Sequence, residues 1–335
     1  MPSSATALTS SRPDLAEGLV EFDLLGNMAG MVAAQIFRPL PVAGTVGKFG
    51  RIPIEQLISK QKKTAKGIGA NYGRDEWTFI TESWTTERHG REGVIDDQER
   101  NIYGEYFDLE MVTAQRIQNQ VMEGSEERVV PVITNETTWS AQTASAAVAW
   151  GTVGTSTPLV DVKVAKAEFR KRTGVKPNAL CIDWETCENL LITESLIDIS
   201  RHQNYIDVRA KSLGETPSAA KMTLSALFNL PYIIISDAVE NTAAQGLTAV
   251  VGSTFPVGTA LVTRVAETMD IREPCIGRTF YYAEDGTSGD FGGGMMRPVV
   301  ESYRDEPKES DVIRVKFDVD EKLLYSEMIQ LIAVD

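Results

Sequence analysis

The sequence predicts an α+β protein, and three features of its 335 residues carry that expectation. One run opens at Asp96 and Asp97 and places Ile102, Tyr106, Leu109, Val112, Ile117 and Val121 at helical steps before Gly124 ends it. The chain beyond it mixes short apolar strands with helices and shows no regular strand-helix-strand repeat. It closes on DVIRVKFDVDEKLLYSEMIQLIAV, two strand-like runs around a polar turn from Asp318 to Lys322.

Taken in order, residues 1–13 are rich in Ser, Thr and Pro and are expected to fray. From residue 14, Leu15, Leu19, Phe22, Leu25, Met28 and Val32 recur at helical spacing up to Phe37. Pro39, Pro41 and Pro53 then force an extended path through FRPLPVAGTVGKFGRIPI. An extended arm near a terminus needs a surface to lie on, either its own chain or a neighbouring subunit. Phe22, Leu25 and Phe37 are its candidate contact residues.

From Gln56 to Arg100 the composition turns to mixed charge, with few residues able to form a core. A strand from Glu76 to Trp84 sets Trp77 and Phe79 on one face and Ile80 and Trp84 on the other. A hairpin with aromatic residues on both faces does not stand alone in water, so these four are candidate subunit contacts. The cluster Lys60, Lys62, Lys63 and Lys66 reads first as a solvated hairpin tip. Contact of Lys62 and Lys63 with an acidic neighbouring subunit is the second reading.

The periodic run after Asp96 amounts to about 26 residues and about 39 Å, long for a compact domain. VVPVIT then reads as a strand and TTWSAQTASAAVAW as a linker into a second lobe. That lobe opens with Thr157 capping Pro158, and the helix LVDVKVAKAEFRKRTG stops at Gly174. The strand PNALCID, the helices WETCENLLI and SAAKMTLSALFNL, and the strands LPYIIISDAV, LTAVVG, GTALVTRVA and RTFYYAED follow.

The bulk chemistry narrows the function. With 33 basic and 47 acidic residues the net charge is −14, which opposes broad contact with nucleic acid. The same sign suits the lining of a container, because an acidic wall repels packed phosphates. Cys181, Cys187 and Cys275 are odd in number and form no CxxC pair, so a disulfide framework is not expected and a reducing cytoplasm is the simplest home. The first residues lack the basic and apolar regions of a signal peptide, so no export is expected. The longest apolar stretch, Leu24 to Phe37, is interrupted by Asn27 and Gln35 and falls short of the roughly 20 residues that span a bilayer.

Motifs for chemistry are missing. His89 and His202 are the sole histidines and belong to no HExxH or HxH pattern. Gly67 to Gly73 is one residue too long for a dinucleotide fingerprint and follows lysines instead of a strand. Lys48 lacks the flanking residues of a phosphate loop, and Asp290 replaces the last glycine of a nucleophile elbow. The acidic pairs lack calcium-loop spacing. No catalytic, cofactor-binding or metal-binding residue is therefore expected.

Four segments in order carry a resemblance: GVIDDQERNIYGEYFDLEMVTAQRIQNQVMEG, GVKPNALCIDWETCENLL, LFNLPYIIISDAV and VESYRDEPKESDVIRVKFDVDEKLLYSEMIQLIAV. With the arm and charged hairpin before them, the chain resembles tailed-bacteriophage major capsid proteins of the Hong Kong 97-like fold over nearly its whole length. The resemblance implies residues 1–45 as an N-terminal arm, 46–95 as an extended β-hairpin loop, and 96–140 as a peripheral domain with a long spine helix. It implies an axial domain at 141–296 and the peripheral domain's C-terminal strands at 297–335. The implied role is self-assembly of hexamers and pentamers into an icosahedral head shell around double-stranded DNA, without sequence-specific binding and without a membrane. Portal, scaffolding and decoration proteins are the implied partners, and the implied location is the virion, assembled in the host bacterial cytoplasm. A separate scaffolding protein is implied, because only about a dozen polar residues precede the first helix. The rival readings are an encapsulin-type bacterial nanocompartment shell and, from another class, a cytosolic α+β enzyme.

Overall fold

The computed structural model describes residues 10–11, 30–58, 65–66, 68–69, 71–72, 78–103, 108–152, 154–194, 196, 217–244, 246–282 and 298–335. The helical arm expected before residue 30 lies outside them, as do Phe22 and Leu25. Strand β1, Ser10–Ser11, pairs with a strand near the C-terminus, so at these two positions the expected fraying is replaced by backbone pairing.

The described arm begins with Gly30 and a single helical turn, α1 (Ala33–Ile36), then runs extended as β2 (Pro39–Val42) and β3 (Val46–Arg51). A second turn, α2 (Ile54–Leu57), leads into the hairpin. The chain returns as β4 (Ile80–Thr85), which pairs antiparallel with β3, and continues as β5 (Glu87–Asp96). Helix α3 (Asp97–Tyr103) and the long α4 (Leu109–Thr134) follow.

The long helix has the expected 26 residues but a different register. It starts where the Asp108 side chain accepts the Met111 N–H at 3.2 Å, runs through Gly124, and takes in VVPVIT. The segment expected as a strand is thus the last two turns of α4. A proline inside a helix costs roughly 3 kcal/mol and a glycine about 1. Burial of Val129, Val130 and Ile133 in the main core outweighs both.

Beyond α4 come β6 (Thr143–Ser145), α5 (Pro158–Thr173), β7 (Ala179–Asp183), α6 (Trp184–Leu191), α7 (Pro217–Phe228) and β8 (Tyr232–Ser236). The hairpin strands β9 (Val239–Asn241) and β10 (Val251–Ser253) follow, then β11 (Thr259–Thr263) and β12 (Gly277–Tyr282). The chain ends with β13 (Val299–Asp305), β14 (Ser310–Leu323) and β15 (Ile329–Ala333). Pro158 occupies the first position of α5 and Gly174 ends it at φ 71°, whereas the Thr157 side chain makes no capping bond. Backbone geometry and the proline start this helix without the hydroxyl. The expected strand LTAVVG shrinks to its end, at Val251–Ser253.

Two sheets organise these elements. One has the order β6-β15-β11-β7-β8, and its inner strands are apolar on both faces, as a sheet covered on both sides requires. Leu180, Ile182, Ile233, Ile235, Ala260 and Val262 meet α5, α6 and α7 on one face. Ala179, Cys181, Ile234, Leu261 and Leu331 point the other way, into the core shared with α1 and the end of α4.

The second sheet is built on β14, whose 14 residues make it long enough to hold several partners. Strand β5 lines Ser310–Val319 on one side, while β13 and then β12 divide the other. Strand β2 closes the β12 edge in parallel, and its Pro39 and Pro41 remove two donors from that edge. The turn expected from Asp318 to Lys322 is continuous strand instead. The polar residues there face partners on either side: Asp318 meets Arg88, Asp320 accepts the Thr85 N–H, and Glu321 holds Arg128. The bend comes later, at Ser326–Met328.

Helix α4 packs on β5 and β14, and Gly93 lets it approach, since a Cβ there would fall 2.5 Å from Ile117 and Thr113 methyl groups. Gly277 plays the same role at the junction of arm and sheet: a Cβ would lie 2.6 Å from the Phe37 ring and 2.7 Å from the Lys322 carbonyl oxygen. Gly277→Ala should therefore cost about 1–3 kcal/mol of subunit stability, read as a lower urea midpoint at unchanged slope. A variant within about 0.5 kcal/mol of the parent would show that this junction is loose.

Candidate assembly surface

The hairpin built by β3 and β4 divides into a fixed base and an uncovered remainder. At the base the Trp84 indole lies over Gly47, where a Cβ would sit 2.0 Å from its ring, and donates to the Gly44 carbonyl at 3.2 Å. The indole stacks on Phe280 at 5.4 Å between centroids and on Phe49 at 6.1 Å. Trp84 is thus half-buried on its own chain, where its aromatic face finds cover on β12. Phe37, the arm candidate among the described residues, is 2% exposed among Gly277, Ile36 and the core of both sheets.

Ion pairs fasten the same base to β14. Arg51 pairs with Glu82 at 2.8 Å and donates to the Leu324 carbonyl. Arg88 grips Asp318 through two 2.8 Å bonds, and this donation holds the Asp318 carboxyl below its usual range. On the other flank Arg304 joins Asp97 and Asp311, its guanidinium pushed upward by the Asp97 bond first. Asp97, read from sequence as the opening of a helix, starts α3 and has this specific partner as well.

Phe79 is 65% exposed, Val46 66%, and Ile80 is open to solvent as well. Ile68 and Tyr72 stand uncovered further along the loop, with Lys66 resting over the Tyr72 ring at 4.5 Å. Trp77, Lys62 and Lys63 lie outside the described residues. Of the proposed contacts, Phe79 and Ile80 are therefore the ones that the described subunit leaves bare.

Two further surfaces escaped sequence reasoning. The β9–β10 hairpin exposes Val239, Leu247, Val250 and Val251 together. Its signal was present in the apolar run LTAVV, but such a run reads equally as a buried strand. The second is a groove of about 360 Å³ where α7 and β8 meet the end of the arm, lined by Gln35, Arg38, Lys221, Met222, Ser225 and Tyr232. Arg38 stacks over Tyr232 at 4.6 Å, and neither Arg38 nor Lys221 has an acidic partner among the described residues. Residues distant in sequence compose this groove, so no local pattern announced it.

Among the described residues no group of three or more His, Cys, Asp or Glu residues is placed to hold a metal ion. His89 packs against the Phe317 ring, while His202 lies outside the described residues. Burial pushes the Cys187 thiol up to about 12 and Cys275 up to about 11, and holds Cys181 well above its usual range, so all three stay protonated and unreactive near neutrality. No described helix is long and apolar enough to cross a membrane.

No protein-family model matches the chain, and no curated protein matches it in sequence. Solved structures do. A phage-related protein from Bordetella bronchiseptica aligns with 97% of this chain and 97% of its own at TM-score 0.60 and 17% identity. The capsid structure of cyanophage P-SCSP1u aligns over 89% of this chain and 86% of its own, at TM-score 0.55 and 9% identity. The mature capsid of bacteriophage PhiM1 aligns over 88% and 85%, at TM-score 0.50 and 10% identity. The long helix, the two sheets that share it, and the hairpin that leaves them make this chain an α+β protein of the Hong Kong 97-like capsid fold.

Proposed function

We propose that this chain is a major capsid protein, the self-assembling subunit of the icosahedral head shell of a double-stranded DNA tailed phage. The observation that carries the reading is a capsid fold over nearly the full chain joined to a hairpin whose apolar residues one subunit leaves uncovered. Copies covering one another is the economical way to bury Phe79, Ile80 and Val46. The role is structural and not catalytic. Hexamers and pentamers repeat the same weak contacts, with residues 1–45 as arm, 46–95 as extended loop, 96–140 and 297–335 as peripheral domain and 141–296 as axial domain. Portal, scaffolding and decoration proteins complete the particle, which forms in the host bacterial cytoplasm and becomes the virion. The net charge of −14 keeps enclosed DNA from adhering to the wall.

Expressed alone or with a scaffold, the protein should form closed particles visible by electron microscopy and by light scattering. A stable monomer or dimer at every concentration overturns the reading. Particles filled with protein cargo in place of DNA would move it to the encapsulin class.

The two hairpin aromatics should separate folding from assembly. Trp84→Ala should destabilise the isolated subunit by about 2–3 kcal/mol, somewhat below the cost of truncating a fully buried tryptophan. Phe79→Ser should leave subunit stability within about 0.5 kcal/mol yet raise the concentration needed for assembly by roughly tenfold or more. A Phe79→Ser protein that assembles like its parent would remove this residue from the interface.

A further inference from the structure

One buried carboxyl has no part in the assembly reading. Glu126 projects from α4 toward the described start of the arm and is 3% exposed. Its Oε1 accepts the Ala33 N–H at 2.7 Å, the Val32 amide points at the same carboxyl, and Oε2 has no well-formed hydrogen bond. The described arm residues beside these amides are apolar: Val32, Ala33 and Ile36 enter the main core, and Met31 packs with Met122 and Ala238.

Among the described residues no cation compensates the site. From α1 only Ala33, Ala34, Gln35 and Ile36 are offered, and from β7 the Cys181 thiol, which stays neutral. Asp237, whose amide donates to the Gly30 carbonyl at 3.2 Å, flanks the segment from the β8–β9 connection. Along α4 itself Glu123 and Glu127 are acidic, with Glu240 of β9 nearby, and Arg128 is occupied by Glu321 of β14 at 2.7 Å. An ionised Glu126 would have two amides and no counter-charge among the described residues, a costly state for a buried anion.

We propose that Glu126 is a proton-operated latch on the arm: neutral, it holds residues 30–37 in the crevice between α4 and the two sheets, and ionised, it loosens them. Burial is the largest force on this carboxyl and raises it from 4.5 to about 7, with the Ala33 and Val32 amides pulling the other way. A docked segment whose carboxyl titrates higher than the released one binds the extra proton. Docking is therefore strongest below the ordinary carboxylate range and weakens as pH rises toward and through about 7. This follows from the geometry of one subunit and holds whether or not the chain builds shells.

Hydrogen exchange on the full-length protein, corrected for the intrinsic pH dependence of exchange, reads the latch directly. Between about pH 6 and pH 8, protection of the peptide spanning 30–40 should fall roughly tenfold while the β11 peptide stays protected. Glu126→Gln should abolish that pH dependence and leave the arm docked throughout. A flat profile in the parent, or the same fall in the glutamine variant, overturns the proposal. If the variant folds poorly, infrared spectroscopy of the parent decides: a protonated carboxyl band that persists at pH 6 and disappears near 7 supports the latch, and its absence at pH 6 refutes it.

Discussion

The structure depends on a single crevice in which the end of the arm is clamped between α4 and both sheets. Ile36, Ile133, Phe280 and Leu331 meet there, all fully buried. Each such side chain contributes roughly 1.5–3 kcal/mol through burial, so an undocked arm would leave the two sheets without a common core. Backbone bonds then fix what the apolar contacts bring together. The Thr279 hydroxyl donates to the Phe37 carbonyl at 2.9 Å, and the Leu324 amide donates to the Ile276 carbonyl where the chain crosses between sheets.

Around this core, β14 distributes charge so that the protruding parts are held at their roots alone. Its side chains reach the hairpin through Asp318 and Asp320, and α4 through Glu321, which also accepts the Ser125 hydroxyl at 2.8 Å. Exposed ion pairs of this kind are worth little singly. Bidentate geometry and half-burial make them orienting contacts, and they set the direction in which the hairpin leaves the body. The loop beyond keeps its apolar residues, and nothing in the described subunit consumes them.

Much of this was readable in the sequence, and the failures share a cause. Strands β7, β8, β11 and β12 and helix α6 are continuous apolar or strongly periodic runs, whose local pattern and tertiary role agree. Gly124 and Pro131 misled because their local preference opposes helix while Val129, Val130 and Ile133 supply core contacts that overrule it. Asp318 to Lys322 read as a turn because polar residues usually mark one; here their partners come from β4, β5 and α4, more than 180 residues away in the chain. The same blindness to distant partners affected the aromatic candidates. Phe79 and Trp84 are indistinguishable by type, and only the position of Phe280 decides that one is covered and the other is not.

The charge of the chain constrains how such a subunit can associate. Copies that each carry −14 repel, so contact must come from surfaces where burial or local cations prevail over the net field. The described residues offer both kinds: the bare apolar side chains of the two hairpins, and a groove where Arg38 and Lys221 lack acidic partners. Were they distributed over one subunit and repeated around closed symmetry, as in the proposed shell, such contacts would add without any single one being strong. Weak individual contacts would also let subunits shift against one another, which a shell that must close correctly requires of its parts.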